Sequence, residues 1–248
     1  MVHGILSSSA QWMNNLPALQ QCCRPITVDL WGHGRSPSPH LAKYYDPGHW
    51  VEQFDAIRKE LGVDRWFLLG YSLGTGATIR YALTHPQRVH GHIFTNSASG
   101  FADPALVEAN IPKTNASAAK ILQDGVKALE KIPVHPRHAR RLPPRTYNAL
   151  VRDARSLNPR GVANILRYSI PSLSVRNAIT TNTVPALLIC GSKERRFLPH
   201  RDYAATHMPN LAIANLETGH AVNMQDAKNF NALASKFIRR WSDPSHAS

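Results

Sequence analysis

Residues 66–84 read WFLLGYSLGTGATIRYALT. The first four residues form a short apolar run typical of a buried strand, and the residues after the turn follow a helical pattern. Between these two parts, Gly70-Tyr71-Ser72-Leu73-Gly74 matches the Gly-x-Ser-x-Gly turn that holds a nucleophilic serine at a sharp strand-to-helix bend. Glycines at both sides permit the strained backbone, and the start of the following helix favours negative charge near Ser72. The alternative is an ordinary glycine-rich turn.

Strand-like and helix-like patterns alternate in the same way along much of the remaining chain. Apolar runs rich in β-branched or aromatic residues predict strands at Ile26–Leu30, Trp66–Tyr71, Val89–Thr95, Pro185–Cys190 and Leu211–Leu216. Helical patterns lie between or beside them, at Gln11–Gln21, His49–Leu61, Leu73–Thr84, Pro199–His207 and Asp226–Trp241. Strands that alternate with helices predict an α/β fold with a mostly parallel sheet and flanking helices.

The alternation breaks between residues 100 and 183, where proline is frequent and helical patterns are short, as at Ala116–Lys131 and Thr146–Ser156. We expect this segment to be a helical lid inserted between two strands. The remaining segments, 1–99 and 184–248, would form the core.

Four blocks in order carry a resemblance to the α/β-hydrolase family, and it extends over nearly the whole chain. They are His3-Gly4-Ile5, the loop DLWGHGRS at 29–36, the turn at 70–74 and Thr218-Gly219-His220-Ala221. The resemblance implies an α/β-hydrolase fold and a serine hydrolase of the esterase type. It also implies that no cofactor and no metal is needed. His3 and His33 occupy positions where the family uses histidine to hold loop conformation.

The resemblance also assigns roles within the predicted site. Ser72 is the nucleophile, and His220, which follows the last predicted strand, is its general base. Glu194 is the acid at a position where the family most often has aspartate, and a glutamate can orient the imidazole equally well. The backbone N–H groups of Leu73 and Ile5 would form the oxyanion hole.

An alternative applies to the assignment of the acid. Glu194 could instead pair with the neighbouring Arg195 or Arg196 at the surface.

The family also has two strands and most of a third before its His-Gly segment, whereas only two residues precede His3 here. We therefore expect a sheet that lacks its first edge strands, or an abbreviated form of a longer protein, with a loosely held oxyanion segment.

The net charge of +13 is concentrated between residues 127 and 201. Such a positive field attracts anions, so the charge indicates either an ordinary solvated surface, an anionic substrate or an acidic carrier protein as partner. No nucleic-acid-binding motif is visible, so nucleic acid is not expected.

No apolar stretch reaches the roughly 20 residues of a membrane span, and the first residues do not resemble a signal peptide, so we expect a cytoplasmic protein.

The predicted activity is cleavage of an ester, thioester or lactone of a small molecule, anionic in one interpretation of the basic charge, through an acyl-enzyme on Ser72. The alternatives are a lyase or cyclase that uses the same serine and histidine, and a binding protein without catalysis. The turn and the segment Asn96–Gly100 are similar to the menaquinone-pathway synthase that eliminates pyruvate, although Gly76 stands where that enzyme has arginine. The basic lid is similar to that of the pimeloyl carrier-protein methyl ester esterase.

Overall fold

In the computed structural model, which describes residues 1–242, four strands form one parallel sheet in the order β1-β2-β3-β4. Their bounds are Trp66–Gly70, Val89–Phe94, Ala186–Gly191 and Leu211–Leu216. Each lies on an apolar run from which the sequence predicts a strand, so these four predictions and the parallel α/β class are confirmed.

The strand predicted at Ile26–Leu30 is wrong. Within residues 1–242, only Val28 of this run pairs, in an isolated parallel bridge to Val2, and its N–H donates to Met1 O at 3.0 Å. Val2 also bridges to Gly70: its N–H donates to Leu69 O at 2.8 Å, and its carbonyl accepts from Tyr71 N at 3.0 Å. Val2, which directly precedes His3, is therefore hydrogen-bonded to the end of β1.

Ten α-helices lie within residues 1–242. They are α1 Leu16–Leu19, α2 Pro47–Glu60, α3 Leu73–Thr84, α4 Pro104–Asp124, α5 Val126–Leu129, α6 Pro144–Ala154, α7 Pro159–Asn164, α8 Leu198–His207, α9 Val222–Gln225 and α10 Ala227–Ser242. Short 3₁₀ turns lie between them, and one π-helical turn, Ile165–Ser169, follows α7.

Helices cover both faces of the sheet because successive strand side chains point to opposite faces. Leu68 of β1 packs in a hydrophobic cluster with residues of α2 and α3, whereas its neighbour Leu69 packs in another with Phe230 and Phe237 of α10. The carboxyl ends of β1, β3 and β4 therefore lie at one edge between two layers, which is where an α/β sheet builds its binding site.

The helix predicted over Gln11–Gln21 is broken. A 3₁₀ turn at Ser9–Trp12 comes first, and α1 begins only at Leu16. Pro17 explains the break, because a proline inside a continuous helix removes a hydrogen bond and clashes with the preceding turn, whereas the first turn of a new helix tolerates it.

Helices α4 to α7 all lie between β2 and β3 in chain order, as expected for the inserted segment. The pattern over Ala116–Lys131 is divided between α4 and α5 at Gly125, whose φ of +62° favours glycine. Leu6 packs with Ala118 and Val162 of this segment in a buried cluster. The division into a core of 1–99 and 184–248 and a lid of 100–183 stays a prediction.

Candidate active site

Ser72 lies at the junction of β1 and α3 with φ of +51° and ψ of −113°. Such a backbone costs on the order of 1–3 kcal/mol and persists only where surrounding contacts impose it. One such contact is a hydrogen bond of 2.7 Å from Ser97 Oγ to the carbonyl oxygen of Ser72. Gly74 is required because a Cβ there would collide with the carbonyl of Val2. The serine is thus held in the strained bend that the sequence predicts.

His220 and Glu194 are brought together from two loops that follow neighbouring parallel strands. Glu194 follows β3, and His220 follows β4 and precedes α9. The Nδ1 atom of His220 lies 2.9 Å from Oε2 and 3.0 Å from Oε1 of Glu194. A carboxylate in this position selects the tautomer with the proton on Nδ1 and leaves Nε2 as a base. The predicted base and acid therefore form a direct pair, and Glu194 does not pair with Arg195 or Arg196.

Asn96, which follows β2, fixes the carboxylate of Glu194 from the other side. Its Nδ2 donates to Glu194 Oε2 at 2.7 Å and to Gly191 O at 3.0 Å, and its Oδ1 accepts from Gly191 N at 3.0 Å. Burial raises the pKa of Glu194, but the hydrogen bonds from His220 and Asn96 and the charge of the imidazole lower it more, so the net pKa lies below its usual value. The carboxylate is therefore ionised at neutral pH.

Ser72 and His220 line the same cavity, whose volume is about 230 Å³. Ile5 and Tyr71 line it from the core, and the edge of the Tyr71 ring contacts the imidazole of His220 at a centroid distance of 5.2 Å. Within residues 1–242 no hydrogen bond joins Ser72 Oγ to His220. Such bonds often form only when substrate is bound, so the shared cavity is the relevant observation.

The N–H of Ile5 lies between two amides that are already occupied. Gly4 N donates to Gln11 Oε1 at 3.3 Å, and Leu6 N donates to His33 Nε2 at 3.1 Å. In the part of the chain that the structure describes, the N–H of Ile5 has no acceptor. It is therefore free to bind an oxygen in the cavity.

The second amide predicted for the oxyanion hole, that of Leu73, is the first of helix α3. The first N–H groups of a helix have no partner inside it. Over residues 1–242, Leu73 N has none elsewhere either. Both predicted oxyanion donors are thus unoccupied, one of them in the cavity wall.

His3 and His33 hold loops in place, as the sequence suggests. His3 Nε2 accepts from Leu30 N at 3.0 Å, and His33 accepts from the N–H of Leu6. Burial lowers the pKa of both rings, so both accept these bonds in the neutral form.

Sequence reasoning gave no role to Asn96, Ser97, Gln11 or His135, although each touches the candidate site or its wall. A signal existed for the first two, because they directly follow a predicted strand at the edge where Ser72 lies. No sequence signal marks Gln11 or His135.

No group of three His, Cys, Asp or Glu side chains within residues 1–242 could hold a metal ion. None of the helices in this range is both long and apolar enough to cross a membrane.

The family model for the alpha/beta hydrolase fold matches residues 1–227. The chain belongs to the α/β-hydrolase family. This α/β-hydrolase is 28% identical over 247 residues to a putative 2-succinyl-6-hydroxy-2,4-cyclohexadiene-1-carboxylate synthase of Bacillus subtilis, covering 96% of this chain and 88% of that protein. It superimposes on the structure of MenH from S. aureus with a TM-score of 0.85 at 22% identity, covering 98% and 93% of the two chains.

A shorter match joins this α/β-hydrolase to an esterase. It is 36% identical over 102 residues to a pimeloyl-[acyl-carrier protein] methyl ester esterase of Aeromonas hydrophila, covering 41% of this chain and 38% of that protein. Membership of the family and hydrolase relatives support a hydrolase as the general class, with lyase-type activity as an alternative.

Proposed function

We propose that this α/β-hydrolase is a serine hydrolase that cleaves an ester, thioester or lactone of a small molecule through an acyl-enzyme on Ser72. The observation that supports it best is that His220, paired with Glu194 at 2.9 Å, lines the same cavity as a serine at a strained strand-to-helix turn. Structural packing alone does not require these three features together.

In the proposed mechanism, His220 Nε2 accepts the hydroxyl proton of Ser72 while Oγ bonds to the acyl carbon. The carbonyl oxygen gains negative charge and binds to the amides of Ile5 and Leu73, each of which typically contributes about 2.7–4 kcal/mol to such an intermediate. The imidazolium then gives its proton to the leaving oxygen or sulfur as that bond breaks. Water attacks the acyl-enzyme, His220 takes its proton, and Ser72 recovers a proton as the acid product leaves.

A lyase or synthase that uses the same serine and histidine is the second candidate. The alignment of 247 residues with the Bacillus subtilis synthase favours it. Gly76 argues against it, because a Cβ there would lie 2.6 Å from Leu173 Cγ. No arginine could therefore occupy this position as the backbone stands.

The proposed partner beyond the substrate is an acidic carrier protein. Residues Pro133 to Leu142 line the cavity with their apolar members, while Arg140 and Arg141 of the same segment and the adjacent Arg145 are exposed. Cations at the rim of a site steer anionic partners toward it. Kinetics with an acyl group on an acidic carrier, compared with the same acyl group on pantetheine, would test this partner: a carrier preference that disappears at high salt is expected.

The proposed function is tested with p-nitrophenyl acetate and butyrate and with a fluorophosphonate probe. We expect turnover, labelling of Ser72 identified by mass spectrometry, and a fall in kcat of roughly 10⁶-fold for Ser72→Ala. Ser117→Ala, in the exposed part of α4, is the matched control and should behave like the parent protein. Absence of both turnover and labelling would identify a binding protein, and labelling that persists in Ser72→Ala would identify a different nucleophile.

A further inference from the structure

The wall of the cavity over Ser72 carries no Lys, Arg, Asp or Glu side chain among the described residues. This is unexpected in a chain with a net charge of +13. The polar groups that line it are Ser7, Gln11, Ser72, Gln225 and three histidines, and the rest of the wall is apolar or aromatic. The basic residues of the lid therefore lie outside the cavity.

Gln11 is a fully buried residue of this wall with an unused donor. Its Oε1 accepts from Gly4 N at 3.3 Å and from Ser7 Oγ at 2.9 Å. Because a backbone N–H can only donate, this contact fixes which end of the amide is oxygen. The Nε2 atom at the other end is buried and has no acceptor within residues 1–242. Since buried polar groups are nearly always hydrogen-bonded, an acceptor is missing at this point of the wall.

His135 supplies a second uncharged donor from the lid. Its Nδ1 accepts from Arg137 N at 3.2 Å, so the neutral ring carries its proton on Nε2. Burial, as the largest influence, lowers the pKa of His135, which keeps the ring neutral at pH 7. His135 is 6% exposed, it lines the cavity, and its Nε2 has no hydrogen-bond partner in the described chain.

We propose that the cavity takes an uncharged acyl substrate with an acceptor oxygen, and that Gln11 Nε2 and His135 Nε2 are the donors that bind its oxygens. This inference rests on the proposed function, since it assigns the substrate class of the same site. A carboxylate in the acyl chain would meet no Lys or Arg side chain in the described wall, whereas an ether, hydroxyl or keto oxygen would satisfy the two unused donors. The positive charge of the surface then acts on partners outside the cavity.

Three p-nitrophenyl esters of similar size test the inference: the butyrate, the methoxyacetate, which replaces one methylene by oxygen, and the anionic hemisuccinate. Each kcat/KM is divided by the rate of alkaline hydrolysis of the same ester, which removes intrinsic reactivity. We expect the hemisuccinate to be at least about tenfold poorer than the butyrate, and the methoxyacetate to be about tenfold better.

Two variants of Gln11 separate recognition from folding. Gln11→Glu keeps an acceptor for Gly4 N and loses the amide donor, and Gln11→Met loses both. In either variant the ratio of kcat/KM for the methoxyacetate to kcat/KM for the butyrate should fall from about ten to about one, whatever the change in kcat/KM for the butyrate itself. Gln123→Glu makes the same change on the exposed face of α4 and should leave all three esters unchanged.

The outcomes distinguish the inference from the function on which it rests. A parent protein that hydrolyses the hemisuccinate better than the butyrate, or that treats the butyrate and the methoxyacetate alike, overturns the inference and leaves the serine hydrolase standing. If none of the three esters is hydrolysed and the fluorophosphonate does not label Ser72, the proposed function fails, and the inference fails with it.

Discussion

Replacing Glu194 by glutamine exchanges one carboxylate oxygen for an NH₂ group and tests the assignment of the acid. In the parent protein both carboxylate oxygens lie near His220 Nδ1, at 2.9 and 3.0 Å, and Oε2 also accepts from Asn96 Nδ2 at 2.7 Å. Asn96 is itself oriented by two hydrogen bonds to Gly191, so it cannot turn its amide oxygen toward the new residue without losing them.

The geometry therefore dictates how the glutamine would sit. An amide nitrogen at the Oε2 position would face the donor of Asn96, so the oxygen takes that place and the NH₂ group takes the Oε1 position, 3.0 Å from His220 Nδ1. This donor competes for Nδ1 with the amide oxygen 2.9 Å away and favours the tautomer with the proton on Nε2, which cannot accept the proton of Ser72. The neutral amide oxygen also stabilises the imidazolium less than a carboxylate does. The corresponding change in a well-studied serine protease lowers kcat by about 10⁴, or about 5.4 kcal/mol of transition-state stabilisation, and we expect a loss of this order here.

The assay is kcat/KM for p-nitrophenyl butyrate across pH 5 to 10, with circular dichroism and thermal unfolding to verify the fold. Glu217→Gln is the matched control, because Glu217 has an exposed side chain that forms an ion pair with the exposed Lys193. The loss should be smaller than for Ser72→Ala, because the oxyanion donors and the nucleophile remain. A Glu194→Gln protein whose kcat/KM stays within about threefold of the parent value would refute the assignment of Glu194 as the acid.

Three further expectations concern residues around the site. Asn96→Ala should lower kcat/KM by about tenfold and the free energy of unfolding by about 1–3 kcal/mol in urea titrations, since it removes contacts to Glu194 and to the backbone. Gly76→Arg should lower the free energy of unfolding by about 1–3 kcal/mol or more in the same titration, because its Cβ would meet Leu173 at 2.6 Å. Burial lowers the pKa of His92 to about 4 from 6.5, so its contribution of about 3 kcal/mol is complete above pH 6.5 and is lost as the pH falls toward 4. His92→Phe should flatten the measured dependence of unfolding on pH in that window.

The four strands and the turn at Ser72 are predictable from the sequence because local pattern decides them. A run such as residues 186–190 is apolar throughout, as a strand buried on both faces must be, and the two glycines around Ser72 mark the bend. The run at Ile26–Leu30 looks equally strand-like, yet strand formation also needs a partner, and only Val2 provides one. Pairing depends on residues distant in sequence, and the apolar pattern does not contain that information.

The candidate site, like the fold, is only partly predictable from the sequence. The four family blocks identify the loops that carry Ser72 and His220, and the position after β3 identifies Glu194. The sequence does not show that Asn96 would bind the carboxylate, because the contact arises only when the ends of β2 and β3 lie side by side. The roles proposed for Gln11 and His135 are not predictable from the sequence, since they depend on which atoms lack a hydrogen-bond partner after folding.

The use of glutamate where aspartate is usual follows from the position of Asn96. A glutamate has one more rotatable bond than an aspartate, so its carboxylate needs an extra restraint to stay against the imidazole. Asn96 provides that restraint through Nδ2, and both of its other hydrogen bonds go to Gly191, three residues before Glu194. The backbone that carries the acid and the carboxylate itself are thus fixed by one buried side chain, which removes the freedom of the longer side chain. Glu194→Asp draws the carboxylate away from Asn96 Nδ2, so the losses of kcat/KM caused by Asn96→Ala and by Glu194→Asp should be far from additive in the double variant.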